Sequence, residues 1–184
     1  MGIPTLIKTL TASGDASLAF VHGASSVVFD NTYDEYMFVM TDMNPATDQA
    51  RLTFQCSIDA GSNYNVTTTS NFWAVEHKES DVGTPGAPAV ETGNDQHQGT
   101  SYQDIGYHAG NEADESFAGI LHIFSPASTT YVKHYYARTS SNNGVRMKEV
   151  HTSGYFNDTN DIDAISFKMS SGNMDGVIQM YGIA

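Results

Sequence analysis

Polar and apolar residues alternate one for one along most of this chain, and that alternation constrains the fold more than any other feature. A period of two places successive side chains on opposite faces of a strand, whereas a helix needs apolar residues every three or four positions. Read this way, the sequence predicts strands over Ser25–Phe29, Glu35–Met43, Arg51–Asp59, Asn71–His77, Phe117–Phe124, Thr130–Thr139, Val145–Phe156, Ala164–Ser170 and Val177–Ile183. These runs are rich in Val, Ile, Thr, Phe and Tyr, which suit a pleated, half-buried surface. Turn chemistry separates them: Asn44-Pro45, Asp59 to Asn63, Ser125-Pro126, Asn142-Asn143-Gly144, Asn157 to Asp163 and Ser170 to Asn173. The expected fold is all-β, a single antiparallel β-sandwich of jelly-roll-like type. No helix beyond a short turn near Asn44–Gln49 is expected.

The rhythm breaks between Glu79 and Glu115, where Pro85, Pro88, several glycines and many acids replace the alternation. A stretch of this length reads as a long surface loop inserted into one domain spanning residues 1–184. Tyr102–Tyr107 is the one part of it expected to add an edge strand.

Charge narrows the partners. The 184 residues carry 8 Lys+Arg against 21 Asp+Glu, a net charge of −13. Eight dispersed cations do not make the positive face that nucleic-acid phosphates require, so no nucleic-acid partner is expected. An anionic membrane surface is disfavoured for the same reason, and no apolar run approaches the 18 or so residues of a membrane span. The stretch Met1 to Lys8 has neither the basic and apolar regions of a secretory signal nor the Ser or Thr that myristoylation wants at Leu6. Cys56 is the sole cysteine, which excludes an intrachain disulfide and suits synthesis in a reducing cytoplasm. Its place in Leu52-Thr53-Phe54-Gln55-Cys56-Ser57-Ile58 reads as a small core residue.

The chemistry-bearing motifs are few. There is no Gly-rich phosphate loop, no Gly-x-Ser-x-Gly elbow and no His-Glu-x-x-His. Asp158, Asn160, Asp161 and Asp163 place oxygen ligands within a few residues and form a candidate Ca²⁺ loop; the same residues equally serve a tight connection that bonds its own backbone. His122 and His134 could face each other across a hairpin, where a third ligand from the acidic loop would complete a metal site; strand histidines packed on Tyr or hydrogen-bonded to a neighbour are far commoner. Tyr64, Tyr102, Tyr107 and Tyr155 flank turns. Their rings, apolar on the face and wet at the hydroxyl, suit a sugar or a protein partner, or else rim packing. Acids are plentiful, but none stands out as the carboxylate pair of a glycosidase.

Several segments resemble, in order along the chain, a family of small virion structural and tail-associated proteins of tailed bacteriophages, especially those of marine bacteria. They are Asn31-Thr32-Tyr33-Asp34-Glu35-Tyr36-Met37-Phe38-Val39, Asn44-Pro45-Ala46-Thr47-Asp48, Gly61 to Thr67, Asn111 to Ser116, Phe124 to His134, Phe167 to Asn173 and Gly176 to Ile183. The likeness extends over about residues 17 to 184. It implies a location in the virion, after synthesis in the host bacterial cytoplasm, and carries over no catalytic residues.

Together these readings predict a non-enzymatic virion structural protein, displayed on the tail apparatus (fibre or tail tip) or the capsid surface. It would serve particle assembly and host adsorption. The expected partners are other virion proteins and further copies of itself, with a trimer favoured, together with a host surface glycan or receptor. A lectin-like glycan-binding module is the alternative, and a polysaccharide depolymerase a third reading.

Overall fold

The structure is a computed structural model that describes residues 2–80 and 86–184. Thirteen strands run through the described residues: β1 (Thr5–Asp15), β2 (Leu18–Val21), β3 (Glu35–Pro45), β4 (Leu52–Ser57), β5 (Thr68–Lys78), β6 (Ala89–Val90), β7 (His97–Gly99), β8 (Gln103–Asp104), β9 (Phe117–Phe124), β10 (Lys133–Asn142), β11 (Arg146–Phe156), β12 (Ala164–Met169) and β13 (Met174–Ile183). All pair antiparallel. The large sheet has the order β1-β13-β3-β9-β10-β11-β5-β6, with β7 also on β5; the small sheet has the order β2-β12-β4-β8. The chain repeatedly changes sheet, from β1 to β2, back to β3, across to β4 and back to β5, then again around β8 and β12. That wrapping makes the sandwich jelly-roll-like; the β9-β10-β11 meander within the large sheet is its own variation.

The two sheets close on a ring-rich core. Phe20 from the small sheet meets Phe38 from the large one at 5.4 Å between centroids, and Phe54 meets Tyr135 edge-to-face at 5.1 Å. Phe167 and Phe156 extend this cluster. Each such ring contributes about 2–3 kcal/mol by leaving water, and Cys56 sits among them, fully buried as expected. Burial pushes its thiol well above the usual range, so it packs as a small apolar group.

Several expectations need correction. Ser25–Phe29 is not a strand. Ser25 and Ser26 take positive φ angles of 49° and 72°, and Gly23 N–H reaches back to the Val27 carbonyl at 2.9 Å. The alternation there reflects Val27 and Phe29 entering the core from a compact turn. β1 and β2 were not anticipated, because bulges near Ile7 and Gly14 break the period of two in β1. β10 starts at Lys133 instead of Thr130, since the Ser128 hydroxyl accepts the N–H of Tyr131 at 3.0 Å and holds a turn. The 79–115 stretch is not wholly a surface loop. Within its described part, Gln103–Asp104 pairs with β4 as the expected edge strand, and Ile105 and Ala109 are buried in the core. Residues 81–85 lie outside the described residues.

Candidate functional site

The two sheets treat their outer faces in opposite ways. On the small sheet, Thr53, Gln55 and Ser57 point away from the core yet are buried, because the chain folds its own loops over them. Gln55 Nε2 fastens that cover by donating to the carbonyls of Val66, Thr100 and Ser101 at 3.2, 3.2 and 2.9 Å. On the large sheet, the outward face sets apolar and aromatic side chains among polar ones, and the described residues leave its centre open.

Strand register builds this open face in rows. One row runs Tyr181, Met37, His122, Tyr136, Ser153, Asn71 across six strands. The row beside it runs Gln179, Val39, Ile120, Arg138, His151, Trp73. Rings stack along the sheet: His122 on Tyr136 at 4.6 Å, and His151 on Trp73 at 4.1 Å, nearly parallel. Tyr136 is 45% exposed and Met147 40%, unusually open for chains of this kind in mid-sheet.

A groove of about 580 Å³ opens on this face. Its floor is made of small residues, Ala118, Gly119 and Ser140; its walls are Ile120, His122 and Tyr136 on one side and Met147 with Glu149 on the other. Gly119 is required there, because a Cβ would come within 2.5 Å of the Arg138 carbonyl oxygen. Tyr136 forms the ridge between this groove and a shallower hollow of about 480 Å³ that includes Phe124, His134 and Tyr155. Volumes of this order suit a small ligand or one anchoring side-chain cluster.

The charges on the face are paired. Arg138 Nε lies 2.6 Å and His151 Nε2 3.0 Å from the same oxygen of Glu149. Those hydrogen bonds, His151 first, hold the Glu149 carboxyl below its usual range. Glu35 bonds the Nδ1 of His122. The surface is thus locally near neutral on a strongly acidic chain.

The four predicted tyrosines do not converge. Tyr155 lies on the open face, its ring 5.9 Å from His134. Tyr64 and Tyr102 are neighbours at 6.5 Å elsewhere, with the Lys168 ammonium 4.1 Å from the Tyr102 ring centre. Tyr107 stands apart from both, packed edge-on to Phe72 and 4.4 Å from the Lys148 ammonium.

The expected histidine pair is corrected by the register: Tyr136, not His134, lies opposite His122. In the oxygen-rich loop, the Asp158 carboxylate accepts from the N–H and the side-chain amide of Asn160 at 2.8 and 2.9 Å. Asp163 Oδ2 accepts from the Ala60 N–H at 2.7 Å. The backbone carbonyls of Asp158 and Asn160 accept from the Lys133 ammonium, so this cation faces the loop from inside the protein. Among the described residues, no three or more His, Cys, Asp or Glu side chains are grouped to hold a metal ion.

Ile120, Tyr136, Arg138, Met147 and Trp73 were not singled out from the sequence. The signal was present: in Phe117–Phe124 both the inward positions and the outward Ala118, Ile120, His122 and Phe124 lack the polar character of a solvated face. Comparison with protein-family models, curated proteins and solved structures finds no match.

Proposed function

We propose that this protein is a non-enzymatic structural component of a bacteriophage virion, displayed on the tail apparatus or capsid surface. In this reading it presents the open face of its large sheet to a neighbouring virion protein. The observation that carries it is the contrast between the two outer faces: the chain spends its loops covering polar Gln55 and Ser57 and leaves Ile120, Tyr136 and Met147 bare. Exposed apolar and aromatic side chains gathered around one groove on a sheet face are characteristic of a contact surface. The sequence resemblance to phage structural proteins supports a phage particle as the assembly in this reading, and further copies of the chain belong among the partners.

The test is mass spectrometry of purified particles made with the parent protein and with an Ile120→Glu/Tyr136→Glu variant. The parent should be a stoichiometric particle component, and the variant should fold but be lost from the particle. Absence of the parent protein from particles would overturn the proposal.

The groove favours a second reading, glycan binding. A sugar ring's apolar face would lie on Tyr136 and Ile120 while its hydroxyls bond the Arg138–Glu149 pair. A glycan array in which the parent protein retains nothing would remove it.

A further inference from the structure

β1 is eleven residues long and forms one edge of the large sheet, paired on one side only, to β13. The far edge of the same sheet is closed over β5 by β6 and β7, and the edge strands of the small sheet, β2 and β8, have only four and two residues. Among the described residues, β1 is therefore the one long strand with an open side. Such an edge presents unpaired N–H and C=O groups, and another extended strand satisfies them.

The register says which strand fits. Along β13, Lys8 pairs with Met180, Thr9 with Gln179, Leu10 with Ile178, Thr11 with Val177, Ala12 with Gly176, Ser13 with Asp175 and Asp15 with Met174. Gly14, with a φ of 71°, is the bulged residue that the ladder skips. Counted along the ladder, Lys8 and Asp15 are equally distant from Thr11, on opposite sides of it. Met180, Ile178 and Met174 are core residues, so Lys8, Leu10 and Asp15 share the inner side of the sheet, while Thr9, Thr11 and Ser13 share the outer side. The Ser13 N–H donates to the Asp15 carboxylate at 2.8 Å and so is directed off the sheet; alternation gives Thr9 and Thr11 the same direction, and strand addition exchanges this local bond for the Thr9 carbonyl of the second copy, freeing the carboxylate.

We propose that β1 pairs antiparallel with β1 of a second copy, about a two-fold axis through Thr11. Every opposed pair then matches. Lys8 meets Asp15 of the second copy, Thr9 meets Ser13, Leu10 meets Ala12, and Thr11 meets its own counterpart. Hydroxyls face hydroxyls on the outer side, aliphatic groups face each other on the inner side, and an ion pair closes each end. A lone Lys on an edge ordinarily blocks strand addition; opposite Asp15 it sets the register instead. Lys8 and Asp15 are the only charged side chains of β1, so the strand itself is neutral although the protein has a net charge of −13. The product is one sheet continuous through two copies, with a two-fold instead of the three-fold symmetry expected from the sequence. This symmetry is independent of what binds the open face.

Light scattering across roughly 1 µM to 1 mM tests it, over which a weak association of this kind populates the dimer. The expected result is a monomer–dimer equilibrium, with the amides of Thr9 and Thr11 exchanging more slowly at high concentration. Thr11→Pro should give a monomer with unchanged melting temperature, since an edge N–H that faces solvent tolerates proline. Lys8→Glu and Asp15→Lys should each weaken dimerisation roughly tenfold, and the double variant should restore it. A protein that stays monomeric throughout overturns the proposal. So does a dimer that Thr11→Pro leaves intact, or a double variant no tighter than the single ones. The charge exchange decides the matter even if the proline variant fails to fold.

Discussion

Lys133 is fully buried, yet it is satisfied by backbone carbonyls, those of Asp158 and Asn160, in place of a carboxylate partner. Desolvation pulls its pKa down, and the charges of Asp158 and Asp161 oppose that shift. Truncation to Ala would strip those carbonyls of their donor and leave a cavity beside Asn157–Asp163. The expected loss is about 2–4 kcal/mol by denaturant titration, and less for Lys133→Met, which retains the packed stem. Asp104 is the second such group. Only 8% exposed, it has Arg51 Nε 3.2 Å away without a hydrogen-bonding alignment. Burial raises its pKa to about 6 despite the nearby guanidinium. The folded protein therefore holds this proton more tightly than the unfolded chain does. Stability from Asp104 is fullest below the unfolded value of 3.8 and declines as pH rises toward about 6. Asp104→Asn should remove that decline and stabilise the protein by about 1–3 kcal/mol at pH 7–8. A thermal-melt series from pH 4 to 8 that shows the same slope in both proteins would count against this account.

At the level of elements, close approach of backbones sets what the strands tolerate. β9 and β10 meet at Gly119 opposite Thr139, where an added Cβ would also lie 2.7 Å from the Thr139 Cα. Gly119→Ala should force these strands apart, cost about 2–4 kcal/mol and raise hydrogen exchange along β9 and β10. The same scale explains the misread segments. β1 escapes the period-two reading because bulged residues shift its parity, so Ile7 and Leu10 pack on the core while Leu6 does not. Ser25–Phe29 satisfies that reading by coincidence: any segment that sends Val27 and Phe29 inward on either side of one residue alternates, whether or not a neighbour pairs with it. β11 and β12 lie close to their expected ranges, because regular pairing on both sides enforces the period.

For the whole molecule, the decisive feature is an apolar face left bare beside a polar face that is covered. Replacing Ile120 and Met147 by Lys removes no core contact, so stability should change by no more than about 0.5 kcal/mol. Binding of a hydrophobic dye to the native protein should fall. A large loss of stability would mean that this face is held by something within the chain. The net charge of −13 gains a location as well: acids such as Asp158, Asp161, Glu112 and Asp114 lie at connections, while the face carries its charges in pairs.

Alternation and turn chemistry are local properties, so the all-β class, the antiparallel pairing and the burial of Cys56 follow from the order of residues alone. Partnership between distant segments is not local. Whether His122 meets His134 or Tyr136 depends on a register that a single hairpin offset decides. Whether an outward residue is wet depends on which loop crosses above it, as the segments carrying Val66, Thr100 and Ser101 do over Gln55 and nothing described does over Tyr136. The sequence by itself determines that the chain makes a sandwich; only the tertiary structure decides which face is left to meet another molecule, because covering a face is a contact between parts of the chain far apart in sequence.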